Sequence, residues 1–159
     1  MVGKIILKPM VYTPTRQINI LGMGEIDGFK WAIVSYGTHP CAYIGLPDQH
    51  PLSHASTFDL NDGMVDLNVH WGVTYSDSHL FGDASCWWIG WDYHHIDDYS
   101  GYCLLEGSHR FSCERTHKWT SEEIYLEVQA AIEQLKEIAE LGCVDLANIK
   151  NEEGGAANG

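Results

Sequence analysis

The residues with the most chemistry in them cluster in one stretch of the chain. Asp92-Tyr93-His94-His95-Ile96-Asp97-Asp98 offers two imidazoles and three carboxylates within seven positions. Imidazole nitrogen and carboxylate oxygen are the donors of divalent-metal sites, and they suit Zn or Mn. The same groups can act as general acid and base without an ion. Asp92, His95 and Asp98 are three apart, so one helical turn brings them to a common side. In extended chain Asp92 and His94 share a face instead. His70 falls on the polar side of an alternating segment and is read as a further ligand; His70 and His95 are also the candidate catalytic residues. The metal candidates are therefore His70, Asp92, His95 and Asp98. His50, in a loop, is the candidate general acid. His54 lies four residues on, but Pro51 between them weakens a helical clamp.

The charge map isolates this region. Between Lys30 and Arg110 there is no Lys or Arg, yet nine Asp, one Glu and eight of the nine His lie there. Carboxylates gathered in this way repel one another, and a bound cation relieves the repulsion. Across the 159 residues, 9 Lys+Arg against 22 Asp+Glu give a formal charge of −13. That balance excludes direct nucleic-acid binding through phosphate contacts and argues against docking on an anionic membrane. Trp87, Trp88 and Trp91 lie just before the cluster. Successive strand residues face opposite sides, so Trp87 and Trp88 do not both enter a one-sided core. With Tyr75 they are read as walls for a flat ligand.

The elements that position these groups form a single α+β domain over residues 1–150. The expected sheet is mostly antiparallel, with about five or six strands. Lys4 to Tyr12 reads as an edge strand interrupted by Pro9, and Ile18 to Leu21 as a short strand followed by turns at Gly22, Gly24 and Gly28. Lys30 to Tyr36 and Cys41 to Leu46 read as a hairpin. Pro47 to Gly63 reads as a long surface loop. Val65 to Tyr75 alternates as a strand should, with Val65, Leu67, Val69, Trp71 and Val73 on one face. Cys86 to Asp92 and Tyr102 to Leu105 read as further strands. Thr120-Ser121-Glu122-Glu123 is a capping box opening a helix from Ser121 to Leu141, with Gly142 as its stop. Its apolar stripe is Ile124, Val128, Ala131, Ile132, Leu135, Ile138 and Ala139, and it packs across one face of the sheet. Residues 151–159 read as a disordered tail. No apolar run near the start is long enough for a signal peptide or a membrane span, so the expected location is the cytoplasm. The five cysteines are read as reduced thiols.

Three ordered motifs add a resemblance: A-Y-I-G-L-P-D-Q-H-P (Ala42 to Pro51), H-W-G-V-T-Y (His70 to Tyr75) and W-W-I-G-W-D-Y-H-H-I-D-D (Trp87 to Asp98). With the helix that follows, they resemble a family of uncharacterised small proteins encoded by bacteriophages and prophages. The resemblance spans about Lys30 to Leu141. His50, His70, Asp92, His95 and Asp98 match its pattern. Ala42, Trp71 and Asp97 stand where the pattern has glycine, and Trp71 would narrow any cleft beside His70. The resemblance implies a phage accessory protein acting in the host cytoplasm, but it supplies no reaction. Two function classes remain open. One is a hydrolase acting on a small polar or nucleotide-like ligand, with or without a divalent metal. The other is a non-enzymatic acidic protein that sequesters a ligand or blocks a host protein, such as a defence or nucleic-acid-binding factor.

Overall fold

The computed structural model describes residues 5–10, 18–99 and 116–156, and for 142–156 the backbone course alone. Five strands form one antiparallel sheet: β1 (Asn19–Ile26), β2 (Phe29–Ser35), β3 (Pro40–Leu46), β4 (Tyr75–Asp77) and β5 (Trp87–Asp92). Their order is β1-β2-β3-β5-β4. A long helix, α1 (Ser121–Ala156), packs on one face. The fold is α+β, as the sequence indicates.

Alternation explains the two faces. Trp31 and Ile33 of β2, Ala42, Ile44 and Leu46 of β3, and Ile89 and Trp91 of β5 point toward α1. There they meet Ile124, Val128, Ile132 and Leu135. Ala32, Val34, Cys41, Tyr43 and Trp88 point the other way, where Leu80 covers them. Trp87 and Trp88 therefore do part company, because the sheet is packed on both sides.

The glycines of β1 do not all make turns. Asp27 and Gly28, with φ of 51° and 86°, form the β1–β2 turn, a pair of left-handed residues that suits a tight hairpin. Gly22 and Gly24 instead stay inside the strand. A Cβ on Gly24 would meet the Trp31 indole at 3.0 Å, so glycine there clears space for the tryptophan.

The alternating segment before β4 is a second departure, since only its last residue joins the sheet. Its backbone is served by side chains. Asn61 accepts from Val73 N–H at 2.7 Å and donates to Val73 C=O at 2.8 Å. Gln134 pairs in the same way with Asn68 at 2.9 Å in both directions. These amides replace a strand partner. Leu67, Val69 and Val73 still enter the core, but Trp71 turns outward with φ of 56°.

The segment after β3 is not merely a surface loop. Leu52 and Leu60 are fully buried, and Asp59–Gly63 winds into a π-helical turn. Residues 5–10 form no strand and join β1 through the bond from Lys8 N–H to Leu21 C=O. At α1 the capping box forms as expected: Thr120 Oγ1 accepts from Glu123 N–H and Glu123 Oε1 accepts from Thr120 N–H, each at 3.2 Å. Gly142 does not end the helix, which continues to Ala156 and so enters the expected tail. A glycine inside a helix costs only about 1 kcal/mol. Ala139 is exposed, so the buried stripe ends at Ile138. Among the described residues no helix is long and apolar enough to cross a membrane. The Tyr102 to Leu105 strand lies outside the described residues. So do Cys103 and Cys113, while Cys41 and Cys86 are free thiols.

Candidate functional site

Three of the four sequence-derived metal ligands meet. Beyond β5 the chain turns at His95 to Asp98, closed by the bond from Asp98 N–H to His95 C=O at 3.0 Å. This turn places His95 and Asp98 side by side, as their spacing implies. His70 arrives from the loop before β4. Among the described residues, His70, His95 and Asp98 are the one group of three ligating side chains whose donor atoms all lie within 4.8 Å.

Asp98 is the hub. Its Oδ1 accepts from His70 Nε2 at 2.8 Å and Trp119 Nε1 at 2.9 Å. Its Oδ2 accepts from His95 N–H and His95 Nδ1, both at 3.0 Å, and lies 2.9 Å from His70 Nε2. The carboxylate is 1% exposed, whereas the histidine side chains are 15% and 19% exposed. Burial alone pushes the Asp98 pKa up. The hydrogen bonds from His70, Trp119 and His95 outweigh it and hold the group below its ordinary value. Asp98 is thus an anion behind two part-exposed imidazoles. An ionised carboxylate can only accept, so each ring nitrogen facing it carries the proton.

Aromatic rings fix the imidazoles. His70 stacks on Tyr93 at 4.7 Å and 14°, and Trp119 meets it edge-on at 4.9 Å. Trp71 lies flat on His95 at 4.8 Å and 5°. Behind His70, the Trp91 indole donates to Tyr93 Oη, which donates to Glu127 Oε1. The same oxygen accepts from His70 N–H at 2.8 Å. In this way α1 sets the height of the loop that carries His70.

Asp92 stands apart from the three. Its carboxylate accepts from Thr74 Oγ1 at 3.1 Å and His94 N–H at 3.2 Å, and it reaches the outer nitrogen of His95 at 3.6 Å. It neighbours the cluster as an additional carboxylate beside His95.

His50 does not reach the cluster as a general acid. It is buried among core residues, with Nε2 donating to Leu135 C=O at 2.9 Å and Nδ1 accepting from Leu52 N–H at 3.1 Å. Antiparallel pairing explains the separation. Leu46, which leads into the His50 loop, pairs with Trp87, while Cys41 pairs with Asp92. The loop therefore leaves the sheet at the Trp87 end of β5, roughly 17 Å from Asp92 at the usual strand rise. Trp87 lies at that far end too, against His54 at 4.7 Å. Trp88 is buried on the sheet face away from α1. Tyr75 sits in β4 with its ring edge-on to Tyr43 and its hydroxyl on His79 C=O. None of these three aromatics adjoins the His/Asp cluster. The rings that do are Trp71, Tyr93 and Trp119. Trp71 and Tyr93 carried a signal in their adjacency to His70 and His95, but Trp119 carried none.

Comparison with family models, with curated proteins and with solved structures found no match to this chain.

Proposed function

We propose that this chain is a hydrolase that cleaves a small polar ester or amide at the His70/His95/Asp98 centre with the help of a divalent ion. We read it as a phage accessory protein working in the host cytoplasm. The observation that carries the chemical reading is the convergence of two part-exposed imidazoles on one buried carboxylate. Two nitrogens and one oxygen fit a Zn or Mn site that keeps a further position for water. Such an ion would be held by His70 Nε2, His95 Nδ1 and Asp98 in place of the two ring protons, and it would supply a water of lowered pKa. Trp119 Nε1–H and His95 N–H still hold the carboxylate, the kind of outer support that orients a ligand.

With the ion in place, the ring proton of His70 would sit on Nδ1 and that of His95 on Nε2, facing the Asp92 carboxylate at 3.6 Å. The water oxygen would bond to the acyl carbon, the bond from that carbon to the leaving oxygen or nitrogen would break, and the proton of the water would pass to the leaving group. Trp71, Tyr93 and Trp119 limit the access of bulk water.

The test is elemental analysis of untagged protein purified without chelator, beside His95→Ala, a variant that keeps Asp98. The expected result is about one transition metal per chain, lost in the variant together with ester cleavage. Absence of metal in both proteins, no thermal shift with Zn²⁺ or Mn²⁺, and no turnover would overturn the proposal.

A further inference from the structure

We infer that Asp92 is a positioning residue of this centre: it faces the outer nitrogen of His95, and through that ring it sets how tightly the ion is held. The role rests on the metal-dependent reading for its ion and on the geometry around His95 for the assignment.

His95 stands between two carboxylates. Asp98 Oδ2 lies 3.0 Å from Nδ1, and Asp92 Oδ1 lies 3.6 Å from Nε2. Aromatic rings take two further sides, with Trp71 flat on His95 at 4.8 Å and His70 edge-on to it at 5.4 Å. A neutral imidazole has one ring proton, so it cannot donate to both carboxylates at once. With Nδ1 on the ion that conflict is gone, because the single proton then lies on Nε2 and faces Asp92. Asp92 is not one of the three side chains whose donor atoms converge, so its part is played through His95.

Asp92 is itself fixed. Its Oδ2 accepts from Thr74 Oγ1 at 3.1 Å and its Oδ1 from His94 N–H at 3.2 Å. Thr74 N–H donates to Gly90 C=O at 2.9 Å. Thr74 follows His70 by four residues, and Asp92 ends β5 just before the turn of His95. The carboxylate therefore ties the segment of His70 to the turn of His95. A carboxylate on the far nitrogen of a metal-bound histidine orients the ring and raises its basicity, and losing such a partner costs about 10–100-fold in metal affinity. A gap of 3.6 Å is longer than a direct hydrogen bond, and the Asp92 side chain is 27% exposed. Both place the effect at the low end of that range.

The test measures Zn²⁺ affinity of untagged, chelator-stripped protein by competition with a chromophoric chelator, together with the melting temperature of each protein free of metal. Asp92→Asn keeps an oxygen for His94 N–H and a polar partner for Thr74 Oγ1, and removes the charge. It should bind Zn²⁺ about tenfold more weakly and, metal-free, melt with wild type. Asp97→Asn removes the same charge from an exposed neighbour of Asp98 and should stay within about twofold of wild type. Binding by Asp92→Asn as tight as wild type, or an equal loss in Asp97→Asn, would overturn the assignment. Affinity lost only in step with metal-free stability would make Asp92 a structural residue and overturn it too. A wild type that binds no Zn²⁺ would remove the assignment and the metal-dependent reading together. The expected loss in Asp92→Asn, beside a wild type that cleaves no ester, would sustain the assignment and sink the hydrolase reading.

Discussion

Replacing Asp98 by alanine is the sharpest test of how the centre is built. The carboxylate accepts from four donor groups at 2.8–3.0 Å: His70 Nε2, Trp119 Nε1, His95 N and His95 Nδ1. A hydrogen bond to a charged group is worth about 1.5–3 kcal/mol net. The four do not add in full, because the histidine rings are part-exposed and recover water when the acceptor is removed. Trp119 Nε1 and the His95 amide recover less. The expected loss is therefore that of breaking one buried charged cluster, about 3–5 kcal/mol. For a chain of this size that corresponds to roughly 6–20 °C in melting temperature. Urea unfolding followed by tryptophan fluorescence measures it, with the midpoint falling and the slope unchanged. The loss has a pH signature. The Asp98 pKa is held below its ordinary value of 3.8 in the folded state. Its stabilisation is complete above that value and disappears as pH falls through the lower, folded one. The gap between wild type and variant should therefore close in acid. A loss below about 1 kcal/mol at neutral pH, or a gap that does not close in acid, would refute the hub.

Two more outcomes follow from residues away from the centre. Burial holds the His50 pKa below its ordinary value of 6.5, so below pH 6.5 the unfolded chain takes up a proton that the folded one refuses. Stability should fall with pH there by up to about 1.4 kcal/mol per unit, and His50→Gln should remove that part of the slope. The part from His39 remains, since burial and the neighbouring His94 lower it in the same way; an unchanged slope in the variant would count against a neutral, buried His50. Gly90→Ala would place a Cβ against the Tyr43 ring and 2.8 Å from the Ala42 carbonyl oxygen. That crowding should cost about 1–3 kcal/mol, and a melting temperature within error of wild type would contradict it.

Local patterns that coincide with local structure were readable. The capping box, the hairpin of β2 and β3, β5 and the turn of His95 and Asp98 all rest on spacing within a few residues. The pairing of His70 with Asp98 was inferred correctly on the wrong element, since His70 is held by Glu127 and stacked on Tyr93 in a loop, not paired in a strand. What failed was long-range. Which end of the sheet receives the His50 loop depends on strand order and direction, and neither is written in any short segment. The role of Gly22 and Gly24 depends on a tryptophan seven or nine residues away across a hairpin. Trp119 reaches Asp98 over 21 residues, and no periodicity announces such a contact.

The joining of distant segments at two carboxylates has a kinetic consequence. The His70 contact to Asp98 closes 28 residues, and that of Glu127 to His70 closes 57. Ordering such spans is costly before the sheet and helix are docked, so the centre depends on both being in place. Two backbone amides report on it directly, because His95 N–H is bound by Asp98 and His70 N–H by Glu127. Their exchange with deuterated solvent tracks the opening of the centre, separately from the amides of β2 and β3, which exchange only when the sheet parts. An ion or substrate that binds the closed arrangement slows those two amides first, by a factor set by its concentration over its dissociation constant.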